Sequence, residues 1–179
     1  MPEFKRLDRK LVHKGSVTEI YVDDILVPNG NIAHWDFIKH KGATAIVPVL
    51  PDGRILMVKQ YRNALDRITI EIPAGGRNSY DEDFLECAKR ELKEETGYSG
   101  DNFEHLITLN TTVAFCDELI EIYVVFIKGE QGEQNLDEDE YINVYPYTVT
   151  ELCDLIYSGE ITDSKTMAAI LAYKNKYVK

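Results

Sequence analysis

The sequence predicts an α+β fold, with a mixed β-sheet and several helices following an N-terminal antiparallel β arm. Three observations support this: β-branched and aromatic runs separated by turn residues, an amphipathic helix in the middle of the chain, and two C-terminal segments with helix start signals. The sequence changes in character near residue 40. We therefore expect a β arm over residues 1–40 and a main domain over residues 41–179.

The arm is rich in Val, Ile, Tyr and Phe and is broken by turn residues at Lys14 and Gly15 and again at residues 28–31. This pattern predicts a small antiparallel sheet of three strands. A sheet of that size buries little apolar surface by itself. The arm therefore needs a further surface to pack on, either in its own main domain or in a second copy of the chain.

In the main domain, apolar β-branched runs predict a larger sheet. Two of them flank Pro51, Asp52 and Gly53, which predicts a β-hairpin. The run LIEIYVVFIKG at residues 119–129 is almost wholly apolar, which is typical of a strand inside a sheet. The segment GEQGEQNLDEDEY at residues 129–141 is acidic and predicts a solvated surface loop.

Helix signals follow near the end of the chain. Thr148 and Glu151 have the spacing of a capping box, and Gly159 marks a stop. A second helix is predicted to start at Thr162 or Asp163 and to present an apolar face. The chain therefore ends in two helices.

Composition limits the function classes. The chain has 179 residues, 44% of them hydrophobic, a formal net charge of −11 and a pI near 4.8. A protein this acidic is a poor binder of nucleic acid or acidic membranes, and no run approaches the roughly 20 apolar residues of a membrane span. The three cysteines are widely spaced, which favours free thiols in a reducing cytoplasm over a disulfide framework.

The central helix carries an unusual set of charges. Within GGRNSYDEDFLECAKRELKEETGY, the side chains of Glu91, Glu94 and Glu95 fall within an arc of about 100° on one helix face. Like charges at these spacings destabilise a helix. One interpretation is a solvated face in which Arg90 pairs with Glu86 and Glu94. The other is a divalent cation held by carboxylates, which are the hard oxygen ligands that Mg²⁺ prefers.

The second interpretation is favoured because this segment resembles the Nudix box, G-x5-E-x7-R-E-U-x-E-E-x-G-U, where U is a bulky apolar residue. All the specified positions match in spacing, and only the last departs, since an aromatic residue stands where an aliphatic one is usual. The matching residues are Gly76, Glu82, Arg90, Glu91, Leu92, Glu94, Glu95, Gly97 and Tyr98. The resemblance implies a Nudix fold, a mixed β-sheet sandwiched between helices.

Further segments, including KQYR, EIPAG and SKTMAAILAY, are similar to the ADP-ribose pyrophosphatase branch of this family. That branch implies a homodimer that exchanges its N-terminal arms, and a small-molecule nucleoside diphosphate as substrate. It also implies that Trp35 of the arm stacks on adenine and that the guanidinium of Arg62 binds the substrate. An ordinary packing role for Trp35 and a surface ion pair for Arg62 are the alternatives.

By the same resemblance, Glu91 and Glu95 are ligands of Mg²⁺, or alternatively Mn²⁺, together with the backbone carbonyl of Ala74 or Gly75. Glu94 is implied to bind a second ion or a metal-bound water.

The resemblance also assigns two further catalytic roles. It implies that Arg90 orients the glutamates and that Glu118 is the general base, with Asp117 as its alternative.

Two departures affect these expectations. Thr112, Val113 and Ala114 stand where the branch has Ser-Pro-Gly, and the loop before the box carries one extra residue. Substrate identity is therefore weakened more than reaction type. The expected activity is hydrolysis of ADP-ribose to AMP and ribose 5-phosphate. The alternatives are another nucleotide sugar or dinucleotide, such as GDP-mannose, and a non-catalytic nucleotide-binding regulator.

Overall fold

The computed structural model describes residues 3–15, 18–138 and 140–178. The chain divides into two compact units. The first comprises Met1–Gly42 with Asn110–Leu119, and the second comprises Ala43–Leu109 with Ile120–Lys179. The first unit thus adds a ten-residue segment from the middle of the chain to the predicted arm.

The first unit contains the predicted three-stranded antiparallel sheet, in the order β1 (Lys5–Lys14), β2 (Glu19–Leu26) and β3 (Ile32–Lys39). The segment 110–119 joins this sheet through the amide of Ile38, which donates to the carbonyl of Phe115 at 2.7 Å. Apart from residues 16 and 17, which lie outside the described residues, the turns fall where the sequence places them. Gly30, for example, adopts a φ of 87° that favours glycine.

The second unit contains a mixed sheet. Its five main strands lie in the order β10, β5, β4, β9, β8, while β6 pairs with β5 and β7 pairs with β4. The parallel pair β4 and β9 lies inside the sheet, as expected for the apolar run at residues 119–129. The strands are β4 (Ala43–Val49), β5 (Ile55–Arg62), β6 (Arg67–Glu71), β7 (Ala74–Gly76), β8 (Phe103–Asn110), β9 (Leu119–Phe126) and β10 (Asn143–Tyr147).

Strand β10 has no counterpart among the predicted elements. It pairs with β5 at one end of the strand order and contains Pro146. Proline lacks an N–H for the ladder and is tolerated in an edge strand, but it lowers the strand signal of the sequence around it.

Three helices lie among the described residues: α1 (Phe84–Thr96), α2 (Val149–Tyr157) and α3 (Ser164–Tyr177). The predicted capping box of Thr148 and Glu151 is present, and Asp163 caps α3. None of these helices has the length and apolar run needed to span a lipid bilayer.

Strand β4 is buried on both sides because helices cover both faces of the sheet. Its residues Ala45 and Val47 belong to one apolar core with residues of α2 and α3, whereas Ile46 packs in a second core with residues of α1. Side chains alternate between the two faces of a strand, so both cores form on the same sheet. The predicted α+β fold with a sheet between helices is confirmed.

Candidate active site

Helix α1 places the predicted carboxylates at the border of the core. Leu92 is fully buried against the sheet, and its neighbours Glu91 and Glu95 are only 8% and 2% exposed. Glu94 is more open to solvent. The helix starts at the N-cap Asp83, whose side chain accepts two backbone N–H groups, and ends at Gly97 with a φ of 74°. The sequence therefore fixes which carboxylates are drawn into the interior.

Arg90 connects these carboxylates. Its Nη1 lies 2.6 Å from Glu91 Oε1 and 3.0 Å from Glu94 Oε2, and its Nε lies 3.2 Å from Glu82 Oε1. Its Nη2 donates to the carbonyl of Gly76 at 3.1 Å. One guanidinium thus ties together three glutamates and the loop before the helix. Glu82 also accepts the backbone N–H of Asn78, so it shapes that loop.

The short strand β7 forms the other wall of the site. It pairs with β4, and the amide of Ala74 donates to Glu95 Oε2 at 3.0 Å. At Gly75 the backbone lies so close to Glu91 that an added Cβ would overlap the Glu91 carboxylate. From the sequence, this segment is expected only to be the loop before the box. The strand instead carries the carbonyls of Ala74 and Gly75 past the buried carboxylates.

The electrostatics of the site reflect a shortage of positive charge. Burial raises the pKa of Glu95 to about 8, and the charges of Glu91 and Glu140 add to this rise. Burial also raises the pKa of Glu91 to about 6, although Arg90 opposes the change. Two carboxyl groups with raised pKa values, side by side at the edge of the core, are typical of a functional site.

These residues have the oxygen donors that a divalent cation prefers, but the orientation of their side chains suits such a cation less well. In the described part of the chain, no group of three or more His, Cys, Asp and Glu side chains is arranged so that it could hold a metal ion. Arg90 donates hydrogen bonds to both Glu91 and Glu94. The donors are nonetheless all hard oxygens, and the Glu95 carboxylate accepts a hydrogen bond from a single backbone amide.

Arg62 lies at the end of β5 and forms a bidentate ion pair with Glu71. Its Nε and Nη2 donate to the two carboxylate oxygens at 2.8 Å and 2.6 Å. Its charge also acts to lower the pKa of Glu95, so Arg62 is within electrostatic reach of the carboxylate cluster formed by Glu91, Glu94 and Glu95. Sequence reasoning missed Glu71, although a glutamate between the apolar residues Ile70 and Ile72 of a predicted strand was a signal for a paired charge.

The acidic loop is not merely a solvated surface segment. The amides of Gly132 and Asn135 donate to the carbonyls of Gly97 and Glu94 at 2.9 Å and 3.0 Å. These bonds satisfy carbonyls at the C-terminal end of α1 that otherwise lack partners. The same loop brings Glu140 close enough to raise the pKa of both Glu91 and Glu95. The predicted solvated loop is confirmed, since all its described residues except Leu136 are exposed, and the hydrogen bonds to α1 are an addition that the sequence did not predict.

Trp35 lies on β3 of the first unit and is 50% exposed. Its ring stands 6.1 Å from that of Phe4. A cavity of about 680 Å³ opens beside it, which is within the size range of small-ligand pockets. The lining residues are Ile20, His34, Trp35, Asp36, Ile38, Ala114 and Phe115.

Glu118 also belongs to the first unit. Its Oε2 accepts a hydrogen bond from the Thr111 hydroxyl at 2.7 Å, and its Oε1 lies 3.4 Å from His40 Nδ1. The neighbouring Asp117 is committed to the backbone, since it accepts the amide of His40 at 2.8 Å. Of the two candidate bases, Glu118 is therefore the one with less fixed hydrogen bonding to the main chain.

Comparisons with known proteins agree with this fold. The model of the NUDIX domain matches residues 39–170. A methanol dehydrogenase activator from Bacillus methanolicus is 37% identical over 94% of this chain and 91% of its own length. An ADP-ribose pyrophosphatase from Bacillus subtilis (strain 168) is 35% identical with the same coverage.

One solved structure, described as the crystal structure of an ADP compounds hydrolase, superposes with a TM-score of 0.84. It covers 97% of this chain and 93% of its own, at 18% identity, and so supports the fold. The resemblance inferred from the sequence is confirmed. Because the family model spans most of the chain and relatives above 30% identity cover nearly all of it, the protein belongs to the Nudix hydrolase family and is similar to its ADP-ribose pyrophosphatases.

Proposed function

We propose that this protein hydrolyses the diphosphate bond of a nucleoside diphosphate sugar, with ADP-ribose giving AMP and ribose 5-phosphate, and that it uses Mg²⁺ or Mn²⁺. The observation that carries the proposal is the pair of buried carboxylates, Glu91 and Glu95, against the backbone of Ala74 and Gly75. A site short of positive charge is suited to a cation that arrives with a charged diphosphate.

The residues that would hold the cation are Glu91, Glu95 and a carbonyl of Ala74 or Gly75, and Glu94 would bind a second ion or a metal-bound water. When bound, the cation would neutralise negative charge on the phosphates and make the phosphorus more electrophilic towards water. Arg90 keeps the glutamates in place through its three ion pairs.

Arg62 is proposed to donate hydrogen bonds to phosphoryl oxygens, a task that suits a guanidinium. Glu118 is proposed to accept the proton of the attacking water, and Trp35 to stack on the adenine base. The roles of Glu118 and Trp35 rest on the family resemblance, supported by the cavity beside Trp35. The attacking oxygen bonds to one phosphorus, and the other phosphate leaves.

The proposed setting is a homodimer in the reducing cytoplasm. The arm exposes large apolar side chains, including Leu7, Leu11 and Val12 on β1, which a second copy would cover. Each of the three cysteines is a free thiol, which suits a reducing compartment.

Incubating the purified protein with ADP-ribose, GDP-mannose and a dinucleotide diphosphate, each with Mg²⁺, tests the reaction directly. We expect release of the nucleoside monophosphate, fastest from ADP-ribose. Separating the products by ion-exchange chromatography identifies which bond breaks. If no diphosphate is cleaved with either Mg²⁺ or Mn²⁺, the proposed function is wrong.

A second function is favoured by one observation, the 37% identity to a protein named methanol dehydrogenase activator. The chain would then act on a dehydrogenase as a regulator. Glu95 distinguishes the two functions, because a regulator that does not hydrolyse a diphosphate does not need this carboxylate. Measuring the rate of a methanol dehydrogenase with the wild-type protein and with Glu95→Gln distinguishes them: only a regulator that does not hydrolyse retains its effect in the variant.

Cation binding should tighten as the pH rises between about 6 and about 8, the pKa values of Glu91 and Glu95 without metal. A protonated carboxyl group is a poor ligand, so the cation must displace each proton, which changes affinity by up to about tenfold per pH unit per proton. Isothermal titration calorimetry in buffers of different ionisation enthalpy counts the released protons. Affinity that does not change with pH would contradict this prediction, and Glu95→Gln should release fewer protons.

A further inference from the structure

The carboxylate of Glu71 is almost fully buried and accepts four hydrogen bonds. Besides the two from Arg62, the Thr69 hydroxyl donates to Oε1 at 2.6 Å, and Lys165 Nζ donates to Oε2 at 2.5 Å. Although burial alone would raise its pKa, the hydrogen bonds from Arg62 and the charge of Lys165 outweigh this and hold the pKa at about 2. Glu71 is therefore a fixed negative charge with no free lone pair directed at a ligand.

Lys165 comes from the first turn of α3, 94 residues from Glu71 in sequence. Its side chain is only 11% exposed, and its Nζ also lies 2.9 Å from Asp163, the N-cap of the helix. Asp163 in turn accepts the amide and the hydroxyl of Thr166, and the Thr166 hydroxyl accepts the amide of Ile72 at 3.0 Å. The start of α3 is thereby locked to the end of β6, with Lys165 held against Glu71.

Arg62 occupies the outer side of this network. Its Nε and Nη2 are taken by Glu71, whereas Nη1 has no hydrogen-bond partner in the described part of the chain. The Arg62 side chain is 40% exposed, and its charge acts on Glu95. Glu71 thus holds one edge of the guanidinium and leaves Nη1 available to a ligand.

The charges around Arg62 indicate how Lys165 contributes to anion binding. A bidentate arginine–glutamate pair has no net charge, so it attracts a diphosphate weakly. Lys165 shares the Glu71 Oε2 atom with Arg62 and compensates the Glu71 charge from the buried side. Together with Asp163, the network has two positive and two negative charges and is neutral as a whole. Without Lys165, the network would carry one net negative charge, which disfavours an anion at Arg62.

We propose that Glu71 and Lys165 are positioning residues that hold the Arg62 guanidinium for the diphosphate of the substrate. This inference rests on the proposed function of Arg62 as a ligand of that diphosphate. Neither positioning residue touches the substrate. Both act through Arg62, so their effect should vanish when Arg62 is absent.

A double-mutant cycle with Arg62→Ala and Lys165→Met tests this dependence. The dissociation constant of ADP-ribose is measured by calorimetry in EDTA, where there is no turnover, and KM and kcat are then measured with Mg²⁺. We expect Lys165→Met alone to weaken ADP-ribose binding about tenfold and to raise KM more than it lowers kcat. In the Arg62→Ala background the same change should alter binding less than about twofold.

Lys174→Met is the matched control, because Lys174 lies on the same helix with an exposed side chain. It should leave ADP-ribose binding unchanged, and Lys165→Arg should restore most of the wild-type affinity. Thermal unfolding of each variant detects any loss of folding, which would weaken binding equally in both backgrounds.

Equal losses in the two Arg62 backgrounds, no loss in either, or no ADP-ribose binding by the wild-type protein would overturn the inference. If the wild-type protein binds ADP-ribose but releases no AMP with Mg²⁺, the proposed hydrolysis fails, while the cycle still decides whether Lys165 acts through Arg62.

Discussion

Replacing Glu95 with glutamine is expected to reduce ADP-ribose hydrolysis by about 10²–10³-fold in kcat, the loss typical of removing one group that stabilises charge in an active site. Glutamine keeps the size of the side chain and can still accept the amide of Ala74, so the loop stays in place. It removes only the negative charge that a cation needs. Steady-state kinetics with Mg²⁺ at saturating ADP-ribose measure the change.

The same variant should be more stable than the wild-type protein in EDTA at high pH. The folded-state pKa of Glu95 is about 8, above its ordinary value of 4.5, so the folded protein binds this proton more tightly than the unfolded chain does. Protonation of Glu95 therefore stabilises the folded protein fully below about pH 4.5, and this contribution is lost as the pH rises through about 8. Glutamine does not titrate, so the variant lacks this loss and should gain at least about 1 kcal/mol above pH 8.

Chemical denaturation in EDTA at several pH values measures this stability difference. Glu86→Gln is a matched control, since Glu86 lies on the same helix but is exposed and pairs with Lys89 at 2.6 Å. It should change neither activity nor the pH dependence of stability. A Glu95→Gln protein that hydrolyses ADP-ribose at the wild-type rate would contradict the proposed site.

Local signals explain why most of the fold was predictable from the sequence. The Thr148 capping box, the N-cap Asp163 and the turn at Gly53 each act within a few residues, so their patterns are visible in the chain itself. The carboxylates of α1 were predictable for the same reason, because helical spacing fixes their common face.

The parts that were missed depend on contacts between distant segments. Lys165 meets Glu71 only because the fold brings α3 to the end of β6. The acidic loop carries no apolar pattern, and its contacts with α1 use backbone groups that every residue possesses. Composition therefore predicted the exposure of this loop, which is confirmed, but not its backbone hydrogen bonds to α1.

The sequence gives Gly76 the greater importance of the two glycines in β7, whereas the structure gives it to Gly75. Gly76 is the residue at the glycine position of the Nudix box, yet an added Cβ there would meet nothing within 4 Å. Its contact with the site is through the carbonyl, which accepts a hydrogen bond from Arg90 and is present in any residue. At Gly75, which lies outside the box pattern, a Cβ would overlap the carboxylate of Glu91.

Gly75→Ala should therefore lower activity by about 10–100-fold, with weaker Mg²⁺ binding, whereas Gly76→Ala should change both by less than about twofold. The Glu91 carboxylate is the end of a flexible side chain, so it can swing away from the new methyl group without disturbing the core. Unfolding should accordingly shift by no more than about 1 kcal/mol in either variant. Calorimetry with Mg²⁺, ADP-ribose kinetics and denaturation of the two variants separate these effects. Equal activity of the alanine variants would show that Glu91 does not need its place against Gly75, and a large loss of stability in Gly75→Ala would show that the loop, rather than the carboxylate, is what moves.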